Sequence, residues 1–147
     1  MIYLDTSFIA PLVLNEETSA EIEAFVIRQP AGMLAVSQWT RVEFASLVAR
    51  EVRMKNFTAQ IAGMVLEEFE ALINQSCQIW LPQAADYELA RKFVMNFDSG
   101  LRGGDALHLA IAKNHGAGIL LTLDEGLLNA AGLFDIPASR GIVAGNQ

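Results

Sequence analysis

Four acidic residues stand where carboxylates could gather a divalent cation: Asp5, Glu43, Asp105 and Asp124. Asp5 closes the apolar run Met1-Ile2-Tyr3-Leu4, and Asp124 closes Gly118-Ile119-Leu120-Leu121-Thr122-Leu123. Glu43 lies early in an amphipathic stretch, and Asp105 opens a helical one at Gly104-Asp105-Ala106-Leu107-His108-Leu109. In an open α/β fold, strand ends and the starts of the following helices face one common crevice. Four carboxylates converging there would resist ionising together unless a cation neutralised them. The chemistry to expect is that of a divalent-metal site.

Each acid also has a purely structural use. Aspartate caps helices by accepting the orphan N–H groups of the first turn, and Asp5, Asp105 and Asp124 each precede a helical stretch. Glu43 follows Thr40 at the spacing of a capping box. Taken together the acids weigh against caps alone, because two of them follow strand ends, where α/β proteins place ligands. His108 sits one turn after Asp105, but Leu107, Leu109, Ala110 and Ile111 crowd it, which favours a helix histidine satisfied by a neighbour over a metal ligand. His115 reads as a cap favoured by the helix dipole. Ser7 has no histidine motif for nucleophilic catalysis. Gly100-x-x-Gly103-Gly104 lacks the P-loop lysine and the dinucleotide-binding spacing. Arg41, Arg50, Arg53 and Lys55 form a basic cluster, read as a solvated helix face paired with Glu51.

The elements that must position these groups alternate. Residues 2–4, 33–36, 78–81 and 119–123 read as strands, and 136–143 as a weak edge strand. Helices are expected over 6–14, from a Thr18-x-x-Glu21 capping box to 28, and over 38–52. Others follow from Thr58, over 84–97 and 105–115, and in a short piece to 131. Gly116 and Gly118 stop the sixth of these, as C-terminal glycines do. Strands alternating with helices predict parallel βαβ units in a three-layer α/β/α sandwich. Strand order is not legible in this pattern. With no repeat, low-complexity tract or Pro/Gly/Ser-rich linker, the 147 residues read as one domain.

Composition narrows the function. The chain is 52% apolar with a mean hydropathy of +0.31, yet no run approaches the roughly 18 residues that span a bilayer. Asp5 inside the first apolar run, with no basic residues before it, argues against a signal peptide. The surplus apolar surface is better explained by an oligomer or partner interface. The lone cysteine, Cys77, reads as a buried, inert thiol, in keeping with a reducing cytoplasm. A net charge of −7 and a pI near 4.7 argue against tight, sequence-independent nucleic-acid binding through a basic face.

The motifs match a known family. Ile2-Tyr3-Leu4-Asp5-Thr6-Ser7 resembles the opening motif of PIN-domain ribonucleases, and Thr40-Arg41-Val42-Glu43 resembles their helix-borne glutamate. Leu101-Arg102-Gly103-Gly104-Asp105-Ala106-Leu107-His108-Leu109-Ala110 resembles their third motif, and Leu121-Thr122-Leu123-Asp124 their fourth. The style of the Asp105 segment and the single-domain length resemble VapC-type toxins of type II toxin–antitoxin pairs. The resemblance implies a PIN-like sandwich around a parallel sheet of four to five strands. It also implies a Mg²⁺- or Mn²⁺-dependent endoribonuclease working as a homodimer. The implied partner is a small VapB-type antitoxin that occupies the cleft and alone links the pair to operator DNA. Asp5 and Asp105 would be the principal metal ligands, with Asp124 a third, direct or through water. Glu43 would hold a metal-bound water or act as general base, with Thr6 and Thr122 as supporting hydroxyls. Arg102 would contact substrate phosphate or pair with an active-site acid. Glu125 beside Asp124 leaves open which acid completes the fourth corner.

Two other readings compete. An aspartyl-nucleophile phosphatase wants a second Asp where Ser7 stands, and a suitable lysine is not evident. A catalytically silent PIN-like dimer that binds a partner and regulates transcription suits the apolar composition, but leaves the retention of all four acids unexplained.

Overall fold

Residues 1–142 are described by a computed structural model. Five strands, β1 (Ile2–Leu4), β2 (Leu34–Ser37), β3 (Gln78–Trp80), β4 (Ile119–Leu121) and β5 (Ala138–Ser139), form one sheet in the order β3-β2-β1-β4-β5. Every pairing is parallel. The expected edge strand in the tail is the two-residue β5; Val143, part of that expectation, lies outside the described residues. The chain winds outward from β1 to β3, then crosses back over β1 to start β4 on its other side. That reversal opens a crevice at the C-terminal ends of β1 and β4, the usual ligand position in such sheets. The register levels the two ends: Tyr3 pairs with Leu120 and Leu4 with Leu121, and the Asp5 N–H donates to the Leu121 carbonyl at 3.1 Å.

Side chains alternate across the sheet and seed two cores. On one face Leu4, Leu34, Val36 and Leu121 pack beneath α1 (Thr6–Ile9), α2 (Ser19–Ile27), α3 (Gln38–Arg53) and α4 (Ala59–Ser76). There Phe44 of α3 stacks on Phe69 of α4 with ring centroids 3.8 Å apart. On the other face Tyr3, Ala35 and Leu120 meet α5 (Ala84–Met95), α6 (Gly103–Asn114) and α7 (Glu125–Leu133). Ala106, Ala110 and Ala112 are buried on α6, so small side chains let this central helix lie close to the sheet and to α5. The result is the expected three-layer sandwich.

Three local readings of helix starts are corrected. Thr18 precedes α2 but makes no capping bond; its neighbour Ser19 instead donates to the carbonyls of Pro11 and Leu14. Helix α3 is capped by Ser37 reciprocally with Thr40, one turn earlier than Thr40 and Glu43 suggested, which leaves the Glu43 carboxylate free. Helix α6 begins at Gly103 with Arg102 at its cap position, so Asp105 lies inside the first turn and is not the cap.

Candidate functional site

A cleft of about 620 Å³ opens at the crevice, and Asp5, Glu43, Asp105 and Asp124 all line it. Four different elements supply them. Asp5 follows β1 and caps α1; its Oδ1 accepts from the Phe8 N–H at 3.1 Å and from Ser7 Oγ at 2.7 Å. Its Oδ2 accepts from Thr122 Oγ1 at 2.8 Å. The group is 3% exposed. Burial raises its pKa, against the lowering influence of His108, Ser7, Thr122 and the Phe8 N–H. Asp124 caps α7 through Oδ1 and the Leu127 N–H at 2.8 Å, and its own N–H donates to Thr122 Oγ1 at 3.0 Å. One threonine hydroxyl therefore ties the first acid to the fourth. Ser7 adds a second tie, since Ser7 Oγ also accepts from the Leu123 N–H at 3.0 Å.

Glu43 is held from the other side. Thr6 Oγ1 donates to its Oε1 at 2.6 Å, and the same oxygen meets His108 Nε2. A carboxylate only accepts, so Nε2–H is the donor. His108 Nδ1 lies 2.7 Å from the Tyr3 hydroxyl, which in turn lies 2.9 Å from Ser37 Oγ. This buried chain fixes the imidazole between sheet and helix. Burial alone would raise the Glu43 carboxyl, but the bond and charge of His108 and the Thr6 hydroxyl outweigh it and hold the group below the ordinary glutamate value. Gly104 makes the approach possible: a Cβ there would meet Glu43 Oε2 at 3.0 Å and the Trp39 ring at 3.2 Å. Trp39 Nε1 secures the contact by donating to the Gly104 carbonyl at 3.1 Å.

Asp105 shows the opposite electrostatics. Its pKa is pushed up to about 6, first by burial and then by the charge of Asp124, with Glu43 and Asp5 adding to it against His108. A cation in the cleft would relieve that repulsion, and an all-oxygen donor set suits Mg²⁺ or Mn²⁺. Among the described residues, no three Asp, Glu, His or Cys side chains stand close enough to hold a metal ion between them as they are. Asp5 and Asp124 are each engaged by capping bonds at their own helices, and Asp5 also by the Ser7 and Thr122 hydroxyls. The donors fit a hydrated divalent ion, which keeps several of its waters.

The cap-or-ligand question thus divides. Asp5 and Asp124 cap helices while lining the cleft; Glu43 and Asp105 line it without capping. Asp124 lines the cleft, and Glu125 is not among its lining residues. Arg102 is exposed and is not among the cleft's lining residues, so it is not brought to the acids. The solvated-face reading of the basic cluster holds for Arg41, which pairs with Glu70 at 2.9 Å. Arg50 and Arg53 are solvated as well but line the cleft, and the expected pairing with Glu51 is not made, since Glu51 accepts from Asn56 instead. His115 is the C-cap residue of α6, as expected, and its ring also stacks on Trp80 and meets Asp86 at 3.1 Å, tying α5 to α6. Cys77 is half-buried with its thiol pushed up to about 11 by burial, in line with an inert residue.

Sequence reasoning missed three parts of the site. His108 was read as satisfied by a neighbour, and it is, but the neighbour is Glu43. Its spacing of three from Asp105 was the available signal, since both residues then share a helix face. Arg50 carried the same signal, standing seven residues after Glu43 on α3; Ser7 and Arg53 had none, because only the fold brings them to the cleft.

The family model described as PIN domain matches residues 2–133. No curated protein sequence matches the chain. Solved structures with a similar fold include VapC20 of Mycobacterium tuberculosis, a toxin that cleaves the sarcin–ricin loop. It is 17% identical with a TM-score of 0.71, over 88% of this chain and 95% of that one. FitAcB of Neisseria gonorrhoeae is 20% identical with a TM-score of 0.71, over 96% and 98%. VapBC-1 of nontypeable Haemophilus influenzae is 17% identical with a TM-score of 0.68, over 96% and 98%. At these identities the likeness is one of fold.

Proposed function

The chain belongs to the PIN-domain family, and from that premise and its cleft we propose that it is a metal-dependent endoribonuclease, the toxin of a toxin–antitoxin pair. The observation that carries the reading is the convergence of four carboxylates, from four elements, on one cleft, with Asp105 pushed up to about 6 by burial and then by the charge of its neighbours. Asp5, Asp105 and Asp124 would hold Mg²⁺ or Mn²⁺, in part through water. Bound there, the ion supplies charge neutralisation for a phosphodiester and lowers the pKa of water. Hydrolysis forms a bond from water oxygen to phosphorus, breaks the bond to the leaving oxygen, and moves one proton from the water and one to the leaving group. Glu43, ionised at neutral pH, accepts the water's proton at Oε2, the oxygen that Thr6 and His108 leave free. Thr122 and Ser7 hold Asp5 with both oxygens oriented. Asp105 sits in the first turn of α6, where the helix dipole favours its charge.

The same reading includes partners. Phe97 is 89% exposed, and Val42, Ile61 and Met64 stand exposed on α3 and α4. Apolar side chains in water on both faces support a second copy of the chain and a VapB-type antitoxin. Among the described residues no helix is long and apolar enough to cross a membrane.

The test is titration calorimetry of Mn²⁺ into EDTA-stripped protein, followed by incubation with total RNA. Wild type should bind Mn²⁺ saturably and cleave; Asp5→Asn/Asp105→Asn should lose both while keeping its far-ultraviolet circular dichroism. Equal cleavage by the double variant would sink the assignment.

A further inference from the structure

Resting on the endoribonuclease reading, we propose that Arg50 and Arg53 form a phosphate-binding rail that holds single-stranded RNA across the cleft beside the acids. Glu43, Leu47 and Arg50 follow one another at helical spacing on α3, and Ser46 and Arg53 flank that row. All five line the cleft. At a rise of about 1.5 Å per residue, Arg50 stands about 10 Å along the helix from Glu43 and Arg53 about 15 Å. The cations are thus set apart from the acids along the cleft, too far to neutralise them directly.

Neither arginine is engaged elsewhere among the described residues. The ion pairs there use Arg41 with Glu70, Arg91 with Glu88, and the two histidines. Arg50 and Arg53 are exposed, so their guanidinium groups are solvated and free to exchange that water for a ligand. The chain carries a net charge of −7, and Glu16 joins the four acids in lining the cleft. A polyanion entering it meets repulsion that cationic contacts must offset. Guanidinium groups suit phosphate because their donors match its oxygens two at a time. A line of cations along a groove is how proteins track a single-stranded backbone without reading bases. The rail would therefore supply affinity and direction, and the acids the chemistry.

The measurement is fluorescence anisotropy of a labelled single-stranded RNA oligonucleotide, in EDTA so that no metal-dependent cleavage intervenes, across a series of salt concentrations. Arg50→Ala/Arg53→Ala should weaken binding at least tenfold and reduce the slope of log K against log salt by roughly 1.4, about 0.7 for each lost contact. Arg50→Lys/Arg53→Lys should keep most of the slope, because charge sets it. Arg91→Ala, on the outer surface of α5, should match wild type. With metal restored, the alanine pair should raise KM far more than it lowers kcat. Unchanged affinity and slope in the alanine pair, while wild type binds RNA, would overturn the rail alone. Loss of poly-glutamate binding with RNA binding intact would also overturn it, in favour of an acidic protein segment. Wild type that neither binds nor cleaves RNA would overturn the rail together with the endoribonuclease reading.

Discussion

Replacing Asp105 by asparagine should stabilise the metal-free protein at neutral pH. A carboxyl whose folded pKa is about 6 against a reference of 3.8 is ionised in the unfolded chain first, so folding is penalised over that interval. Below about pH 3 the group is protonated in both states and contributes nothing. The penalty grows as pH rises through the interval and is complete above about pH 7. Unscreened, that pKa difference corresponds to about 3 kcal/mol. Asp105 is only partly buried, so solvent screening reduces this to about 1–1.5 kcal/mol. Losing a favourable charge in the first turn of α6 returns a few tenths of a kcal/mol. The net gain of about 1 kcal/mol corresponds to a melting midpoint about 2–4 °C higher for a domain of this size. The assay is thermal unfolding by circular dichroism at pH 7.5 in EDTA, repeated in saturating Mn²⁺. The variant should melt higher in EDTA. Wild type should melt higher in Mn²⁺, because an ion held at a hundred times its dissociation constant adds about 2.7 kcal/mol. A lower midpoint for Asp105→Asn in EDTA at pH 7.5 would refute the folding penalty that burial and the neighbouring acids place on the Asp105 charge.

Removing the imidazole by His108→Ala should lower kcat by at least tenfold, since general-base contributions are about 10²–10⁴-fold, and should move the acidic limb of the kcat profile upward as Glu43 loses the partner that depresses it. An unchanged acidic limb would remove His108 from that role. Gly104→Ala should fold with a midpoint within a few degrees of wild type yet lose much of its turnover, because the new methyl displaces the Glu43 carboxylate against a fixed Trp39 ring; full activity would mean that Glu43 need not sit where it does. Phe69→Ala empties one half of the Phe44 stack and should destabilise the fold by about 3–5 kcal/mol in urea denaturation, without changing Mn²⁺ affinity per folded molecule.

The strands and most helices were legible because their apolar periodicity is strong: Ile2–Leu4 and Ile119–Leu121 could be read as buried strands and the 59–76 face as a helix. The motif acids were legible because they stand at the ends of those elements. What escaped was set by tertiary contact. Strand order follows from which helices can cover β1 on both faces, and no local stretch encodes that. The Ser37 cap outcompeted Thr40 because Ser37 ends a strand in extended backbone (φ −130, ψ 171) and so presents its oxygen to the Thr40 N–H. The orientation of Arg50 toward the cleft depends on the packing of Phe44 and Val48 beneath α3, which turns the opposite side of the helix outward.

Two carboxylates that line one cleft carry opposite shifts, and under the proposed nuclease reading that separation gives them different roles. Glu43 is held below its ordinary value by a donor on each side, so it stays an anion whether or not a metal is present. Asp105 has no hydrogen-bond donor of that kind among the described residues and is raised to about 6 by burial and then by the neighbouring acids, so a counter-ion would favour its charged form. A group ionised in all states serves as a base or a water anchor; a group ionised only with a cation serves as the cation's ligand. His108 reaches both, lowering Asp105 by charge and Glu43 by a bond. A buried histidine therefore widens the difference between the two carboxylates, holding Glu43 low while only partly offsetting the rise at Asp105.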